Sequence, residues 1–369
     1  MSRKEIKDII ELLHNRIVMA DVIIAAYREK TGNVIAGSLC ETIPPEVALA
    51  AGMNVLSIPE KYQVELLDKE PIPVDTISWL MDSYDVVIIP SCFEMLYQRL
   101  IDVGIDVYTF QVPSGWGEES SVALHNEIMR LFRETEITFN PLFETEKIQN
   151  ACQQYDSLRK IIRGIAAGRV DNAGELSNRD LQVVFESAIC LPIESVMMEL
   201  SWLFGLMSSK NSEIANVGNA MIFGGKKLKK DLFDDIEFAG QLAVAEDDIC
   251  TGRRKFDISL NSKSENIYYE FLDMYSYKAY CPVVRPVEER YELLYKLLKN
   301  YGIDLVVLID DPICEERNIH SNFLYNRLRL DGIDAIQGDE EQIVNKIRDY
   351  RQKYNEGVRI SISTPMEDE

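Results

Sequence analysis

The 369-residue chain carries 39 basic against 61 acidic side chains, a formal net charge of −22, with an apolar fraction of 46%. That length suits two domains, each with its own core, and the acidic balance argues against a nucleic-acid partner, which needs a concentrated basic surface. No apolar run approaches the ~18–20 residues that span a bilayer, and the opening MSRKEIKDIIELL has no signal-peptide core, so a soluble cytoplasmic protein without a membrane partner is expected.

Residues 3–30 read as one amphipathic helix, with Ile6, Ile9, Ile10, Leu13 and Ile17 at helical spacing. A strand over 33–37 follows, then Pro44 and Pro45 before a helix that Gly52 would cap. Strands are predicted at 54–58, 84–90 and 106–112; the second, Tyr84-Asp-Val-Val-Ile-Ile-Pro90, is the strongest. Residues 117–210 look mainly helical, with Ile148, Tyr155, Leu158, Ile161, Ile162 and Ile165 as one stripe. A second α/β pattern then has strands at 219–223, 241–245 and 303–309, an extended piece at 279–283, and helices near 225–237, 265–277, 286–301, 318–331 and 339–355. Short β-branched runs alternating with helices imply parallel pairing by crossover. The reading is an α/β protein of two Rossmann-like (flavodoxin-like) parallel-sheet domains. It divides as an N-terminal helical segment (1–32), a first α/β domain (33–140), a helical section (141–212) and a second α/β domain (213–369).

The seven cysteines include no CxxC and are too dispersed for a disulfide framework. Cys40, Cys92, Cys250, Cys281 and Cys314 lie at or just past carboxyl ends of predicted strands, the edge where open α/β sheets bind ligands. Cys152 and Cys190 fall in the helical section and read as buried, inert thiols. Converging thiolates suit a soft metal or an iron–sulfur cluster; the alternative is that cysteines crowd at strand ends because they bury well.

Other residues carry two readings each. Glu46 is a general acid–base candidate or a first-turn carboxylate interacting with a helix dipole. Ser38 or Ser91 would donate to a substrate oxygen or cap a helix. Glu246, Asp247 and Asp248 read as a solvated turn or an oxygen-ligand metal site. Gly224-Gly225 permits a tight turn that could receive phosphate but lacks the dinucleotide-binding spacing. The basic runs Lys226–Lys230 and Arg253-Arg254-Lys255 read as solvated surface or as a phosphate site; an anionic substrate becomes the expectation if one of them lines its pocket.

Four segments in order resemble the 2-hydroxyacyl-CoA dehydratase and benzoyl-CoA reductase family. They are Gly37-Ser-Leu-Cys-Glu-Thr-Ile-Pro-Pro-Glu-Val-Ala-Leu-Ala-Ala-Gly52, Asp85-Val-Val-Ile-Ile-Pro-Ser-Cys92, Glu246-Asp-Asp-Ile-Cys-Thr-Gly-Arg-Arg254, and Tyr280-Cys-Pro followed by Gly302 to Cys314. The helical stretch with Asn150, Arg159 and Ile162 falls where the family has one, so the resemblance spans roughly 30–350. It implies a subunit that holds a [4Fe–4S] cluster, paired with a homologous subunit or a second copy of itself. It also implies a one-electron ATP-dependent iron–sulfur activator, and an acyl-CoA substrate that loses water. By the same resemblance Cys92 and Cys314 are the second and third cluster ligands and Glu46 is the motif acid. The family's first ligand has no counterpart, since residues 53–84 contain no cysteine. Cys40 would substitute for it, or the cluster is altered or absent, leaving a non-catalytic partner subunit; a separate alternative is an ATP-activated low-potential reductase on the same scaffold.

Overall fold

Two strands with unbroken runs of large apolar residues are buried on both faces, and each sits at the centre of a parallel sheet. The computed structural model describes residues 3–40, 43–113, 117–141, 144–171, 175–208, 218–224, 230–240, 242–249, 252–258, 264, 266–277, 287–310 and 315–355. The chain divides into two compact units. One comprises Met1–Ile165, Val183–Leu206 and Lys255–Val284, the other Ala166–Gln182, Met207–Arg254 and Arg285–Glu369.

The first unit opens with α1 (Arg3–Val18) and α2 (Ala20–Thr31), not with one helix. The interruption is a single residue, Met19, across which the Met19 and Ile23 amides still donate to Asn15 and Met19 at 3.1 Å each. Then come β1 (Val34–Ser38), α3 (Pro45–Ala50), β2 (Met53–Ser57), α4 (Glu60–Asp68), α5 (Val74–Ser83), β3 (Val86–Pro90), α6 (Glu94–Asp102) and β4 (Val107–Phe110). The strand order is β2-β1-β3-β4, all parallel. All five residues of β3 are buried, whereas the edge strand β4 alternates. Gly52, at φ +87°, takes the left-handed conformation that turns α3 straight into β2. On β1, Gly37 lies under the Tyr84 ring, where a Cβ would come within 2.5 Å of it.

The helices that follow are α7 (Glu118–Glu134), α8 (Thr145–Asp171), α9 (Asn178–Cys190), a short 3₁₀ turn at Ile193–Ser195, and α10 (Met197–Ser208). The first unit is completed by α12 (Ile267–Tyr277), which packs on α7. One core joins Ala36, Ile88 and Phe110 of the sheet to Leu124, Ile128 and Ile148 of the helices and to Tyr268, Phe271 and Tyr275 of α12.

In the second unit α11 (Lys230–Gly240), α13 (Val287–Tyr301), α14 (Glu315–Leu330) and α15 (Glu340–Asn355) flank β5 (Asn219–Phe223), β6 (Ala243–Asp248), β7 (Leu305–Ile309) and β8 (Ala335–Gly338). Here too the sheet is parallel, in the order β6-β5-β7-β8. Side chains alternate between faces along a strand. Ile222 and Val307 therefore meet Phe233 and Ile343 of α11 and α15, while Met221 and Val306 meet Leu294 and Leu324 of α13 and α14. Glu246–Asp248 fall inside β6, not in a turn after it, and Asp247 is buried, accepting the Arg253 amide at 3.0 Å. The extended piece expected at 279–283 lies outside the described residues. Among the described residues no helix is long and apolar enough to cross a membrane.

Candidate functional site

The chain leaves β1 at Ser38 and β2 at Ser57, and a cleft of about 660 Å³, counting space open to solvent, lies at those carboxyl ends. Ligands collect at this edge of parallel sheets because loops and helix starts there expose polar backbone and side chains to one crevice. Ile43, Leu158, Leu191, Ile193 and Phe256 make the apolar wall, and Phe256 is fixed by stacking on Phe185 at 5.5 Å. The polar lining is Ser38, Cys40, Ser57, Arg159, Lys255 and Tyr275, with Tyr155. Among the described residues, the cations Arg159 and Lys255 line the cleft and no carboxylate does.

Glu46 is placed by Pro45 at the start of α3, where an acid suits the helix dipole. It does not line the cleft. It is completely buried, ion-paired with Arg159, and it accepts a hydrogen bond from the Tyr275 hydroxyl at 3.0 Å. Arg159 also donates to the Tyr275 oxygen at 3.1 Å and lies 3.6 Å from Asp156. Burial alone would lower the Arg159 pKa, but Glu46, Tyr275 and Asp156 together raise it, so the guanidinium stays charged in the core. The arrangement joins α3, α8 and α12, three segments far apart in sequence, behind the cleft wall.

The Ser38 hydroxyl donates to the Cys40 carbonyl, closing the turn that leaves β1. Ser91, past β3, is exposed, and its amide donates to the Phe110 carbonyl at 3.0 Å. Cys40 and Cys92 each follow, by two residues, the last residue of neighbouring strands β1 and β3, whose register pairs Ser38 with Ile88. Cys40 is half-buried in the cleft lining and Cys92 is exposed. Sulfur donors on adjacent strand ends are of the chemical type that iron–sulfur clusters take. Cys314, Cys250 and Cys281 lie outside the described residues. Among the described residues no three His, Cys, Asp or Glu side chains converge as a metal site. Cys152 is buried beside Asp156, and burial, with the charges of Asp156 and Glu46, pushes its thiol up to about 12, as an inert core cysteine requires.

Sequence reasoning singled out Ser38, Cys40 and Glu46 but gave no site role to Ser57 or Tyr275. It used Arg159 only as a marker of the helical stretch. A sign was present: Ile148, Cys152, Tyr155, Arg159 and Ile162 are spaced 4, 3, 4 and 3 residues apart on one face of α8. An arginine on an otherwise apolar stripe needs a buried partner. Lys255 belonged to a basic run whose plainer reading was solvated surface; it lines the cleft, and its ammonium donates to the Ser57 hydroxyl at 2.9 Å.

No curated protein matches the chain. A family model described as 2-hydroxyglutaryl-CoA dehydratase, D-component, matches residues 40–351, a stretch that includes the cleft lining apart from Ser38 and most of both units. The chain belongs to that family.

Proposed function

We propose that the protein is a cytoplasmic subunit of a 2-hydroxyacyl-CoA dehydratase-type lyase that removes water from a 2-hydroxyacyl thioester to give the enoyl thioester. The observation that carries this reading is the cleft at the carboxyl ends of β1 and β2, with an apolar wall, hydroxyls and cations, in a chain of the dehydratase-component family. Each half is read as a flavodoxin-like unit, since β2-β1-β3-β4 and β6-β5-β7-β8 share the same order relative to the chain.

A [4Fe–4S] cluster is assigned to Cys40 and Cys92, with Cys314 as a further ligand by its match to the family's last ligand cysteine. When bound, such a cluster supplies low-potential one-electron chemistry, which makes loss of a poor hydroxide leaving group feasible once the thioester carbonyl is reduced. An ATP-dependent activator would deliver the electron, and a homologous subunit or a second copy would complete the complex. The chain's own residues have separable tasks. The apolar wall takes the acyl chain and excludes water. Ser38 would donate to a substrate oxygen on exchanging its hydrogen bond to the Cys40 carbonyl. Glu46 acts as a positioning residue, holding Arg159 and Tyr275 where they line the cleft.

The test is anaerobic purification and reconstitution with iron and sulfide, comparing the protein with Cys92→Ser, Cys40→Ser and Cys314→Ser. Iron, sulfide and the charge-transfer absorption should fall in each variant, and the intact complex with activator and ATP should form enoyl-CoA. A protein that stays colourless after reconstitution would favour the second reading, a partner subunit without a working cluster. The cysteine-free interval 53–84 motivates that reading. Thioester reduction without enoyl product would favour a reductase.

A further inference from the structure

Helix α10, Met-Met-Glu-Leu-Ser-Trp-Leu-Phe-Gly-Leu-Met-Ser, is apolar around most of its circumference, a composition that suits a helix covered on both sides. Leu200, Leu203 and Leu206 are buried, yet Met198 and Trp202, one turn apart, are 73% and 55% exposed. Glu199 of this helix is ion-paired with Arg16 of α1. Arg16 lies one turn from both Leu12 and Met19, and Glu199 lies one turn before Trp202. The ion pair therefore sets the open face of α10 beside the open face of α1 and α2. There Val18, Met19 and Val22 are each more than half exposed, and Leu12 is 43% exposed. At these exposures the six residues present on the order of 600 Å², most of the ~800 Å² that each side of a standard interface buries. That is also the upper end of what a typical monomer leaves open to water.

The occupant that fits is written in the exposed stripe of α1 and α2. Asp8, Leu12, Asn15, Met19, Val22, Ala26 and Lys30 are all exposed and follow one another at intervals of three or four residues, the spacing of a coiled-coil seam. The stripe is self-complementary about Met19. Laid antiparallel on its own copy, with a twofold axis at Met19, it sets Leu12 against Ala26 and acidic Asp8 against basic Lys30. An uncharged middle with opposite charges at its two ends suits a chain of net charge −22, whose copies repel wherever acidic surfaces meet. We propose that the face centred on Met19 and Trp202 is an isologous interface that pairs the chain with a second copy of itself, Asp8 of each opposite Lys30 of the other. None of these residues lines the cleft, so the interface does not depend on the thioester reading.

The experiment is sedimentation velocity of the full chain over a concentration series, with circular dichroism to check that each variant is folded. An interface of this size should populate a dimer by about 50 μM. Val22→Glu and Met198→Glu should each weaken association roughly thirtyfold or more, because an unpaired charge would be buried. Asp8→Lys should weaken it several-fold by opposing like charges, and Asp8→Lys with Lys30→Asp in the same chain should restore it, since exchanging the signs recreates the pair. A monomer at every concentration would overturn the proposal and leave the face to a partner of different sequence. A dimer that neither glutamate weakens would overturn it as well, because the contact then lies elsewhere on the molecule. No loss with Asp8→Lys, or no recovery in the double variant, would overturn the twofold arrangement. Should Val22→Glu fail to fold, Met198→Glu, at the most open of the six positions, decides.

Discussion

Replacing Glu46 by alanine isolates the buried ionic group behind the cleft. Glu46 is 0% exposed and the Arg159 side chain 3%, so water cannot take over when the carboxylate is removed. Among the described residues Arg159 would keep Asp156, at 3.6 Å, as an opposite charge, and the Tyr275 hydroxyl would lose Glu46 as an acceptor. Breaking a buried pair from one side costs about 3–5 kcal/mol, most of it the penalty of the stranded charge. The lost tyrosine acceptor falls within the same figure, because both losses are relieved by the same local rearrangement. With a guanidinium dependence of about 5 kcal/mol per molar for a unit of this size, the unfolding midpoint should drop by about 0.6–1 M. Tryptophan fluorescence follows the right unit: Trp79, stacked on Tyr62, and Trp202 belong to the first unit, and the residues of the second contain no tryptophan. Adding Arg159→Met should recover part of the loss, with a coupling of about 2 kcal/mol, because the stranded charge is gone. A cost below about 1 kcal/mol for the single change, or strict additivity in the pair, would refute the buried-pair argument.

Three further outcomes are expected. His125 accepts or donates a hydrogen bond at Nδ1 with the Tyr268 hydroxyl at 2.8 Å, and burial lowers its pKa below the ordinary 6.5. The unfolded chain therefore binds a proton that the native state refuses. Its stability contribution is complete above about 6.5 and is lost as pH falls toward the lower native value. His125→Asn should accordingly flatten the decline in unfolding midpoint between pH 7.5 and 5.5; parallel curves would contradict this. In cluster-free protein, alkylation followed by mass spectrometry should label exposed Cys92 readily. Cys152, at about 12, has roughly one thiolate in ten thousand at pH 8 and should react only on unfolding. Gly37→Ala should destabilise the first unit by about 1–3 kcal/mol, because the added methyl meets the Tyr84 ring, which Trp79 holds edge-on at 5.4 Å; a neutral result would mean that the ring can move aside.

What could be read from the sequence follows from what each residue needs. Strands β3 and β7 were legible because burial on both faces demands an unbroken run of large apolar side chains, Val-Val-Ile-Ile and Leu-Val-Val-Leu-Ile. The edge strand β8, Ala-Ile-Gln-Gly, has one fully buried residue and no such run, and it escaped notice. Cys40 and Ser38 could be placed at the sheet edge because strand ends are local features. The Glu46–Arg159–Tyr275 group could not, since its members stand 113 and 116 residues apart in turn and only the fold brings them together. The charge on the α8 stripe announced that a partner existed without saying which. The same division explains Lys255. In a run of three basic residues the sequence does not tell which one lines the cleft, because the choice is made by its neighbour. Phe256 must bury its ring against Phe185, and in doing so it fixes the short turn from which Lys255 meets Ser57 and lines the cleft. The position of the lysine's charge is therefore a consequence of aromatic packing next to it.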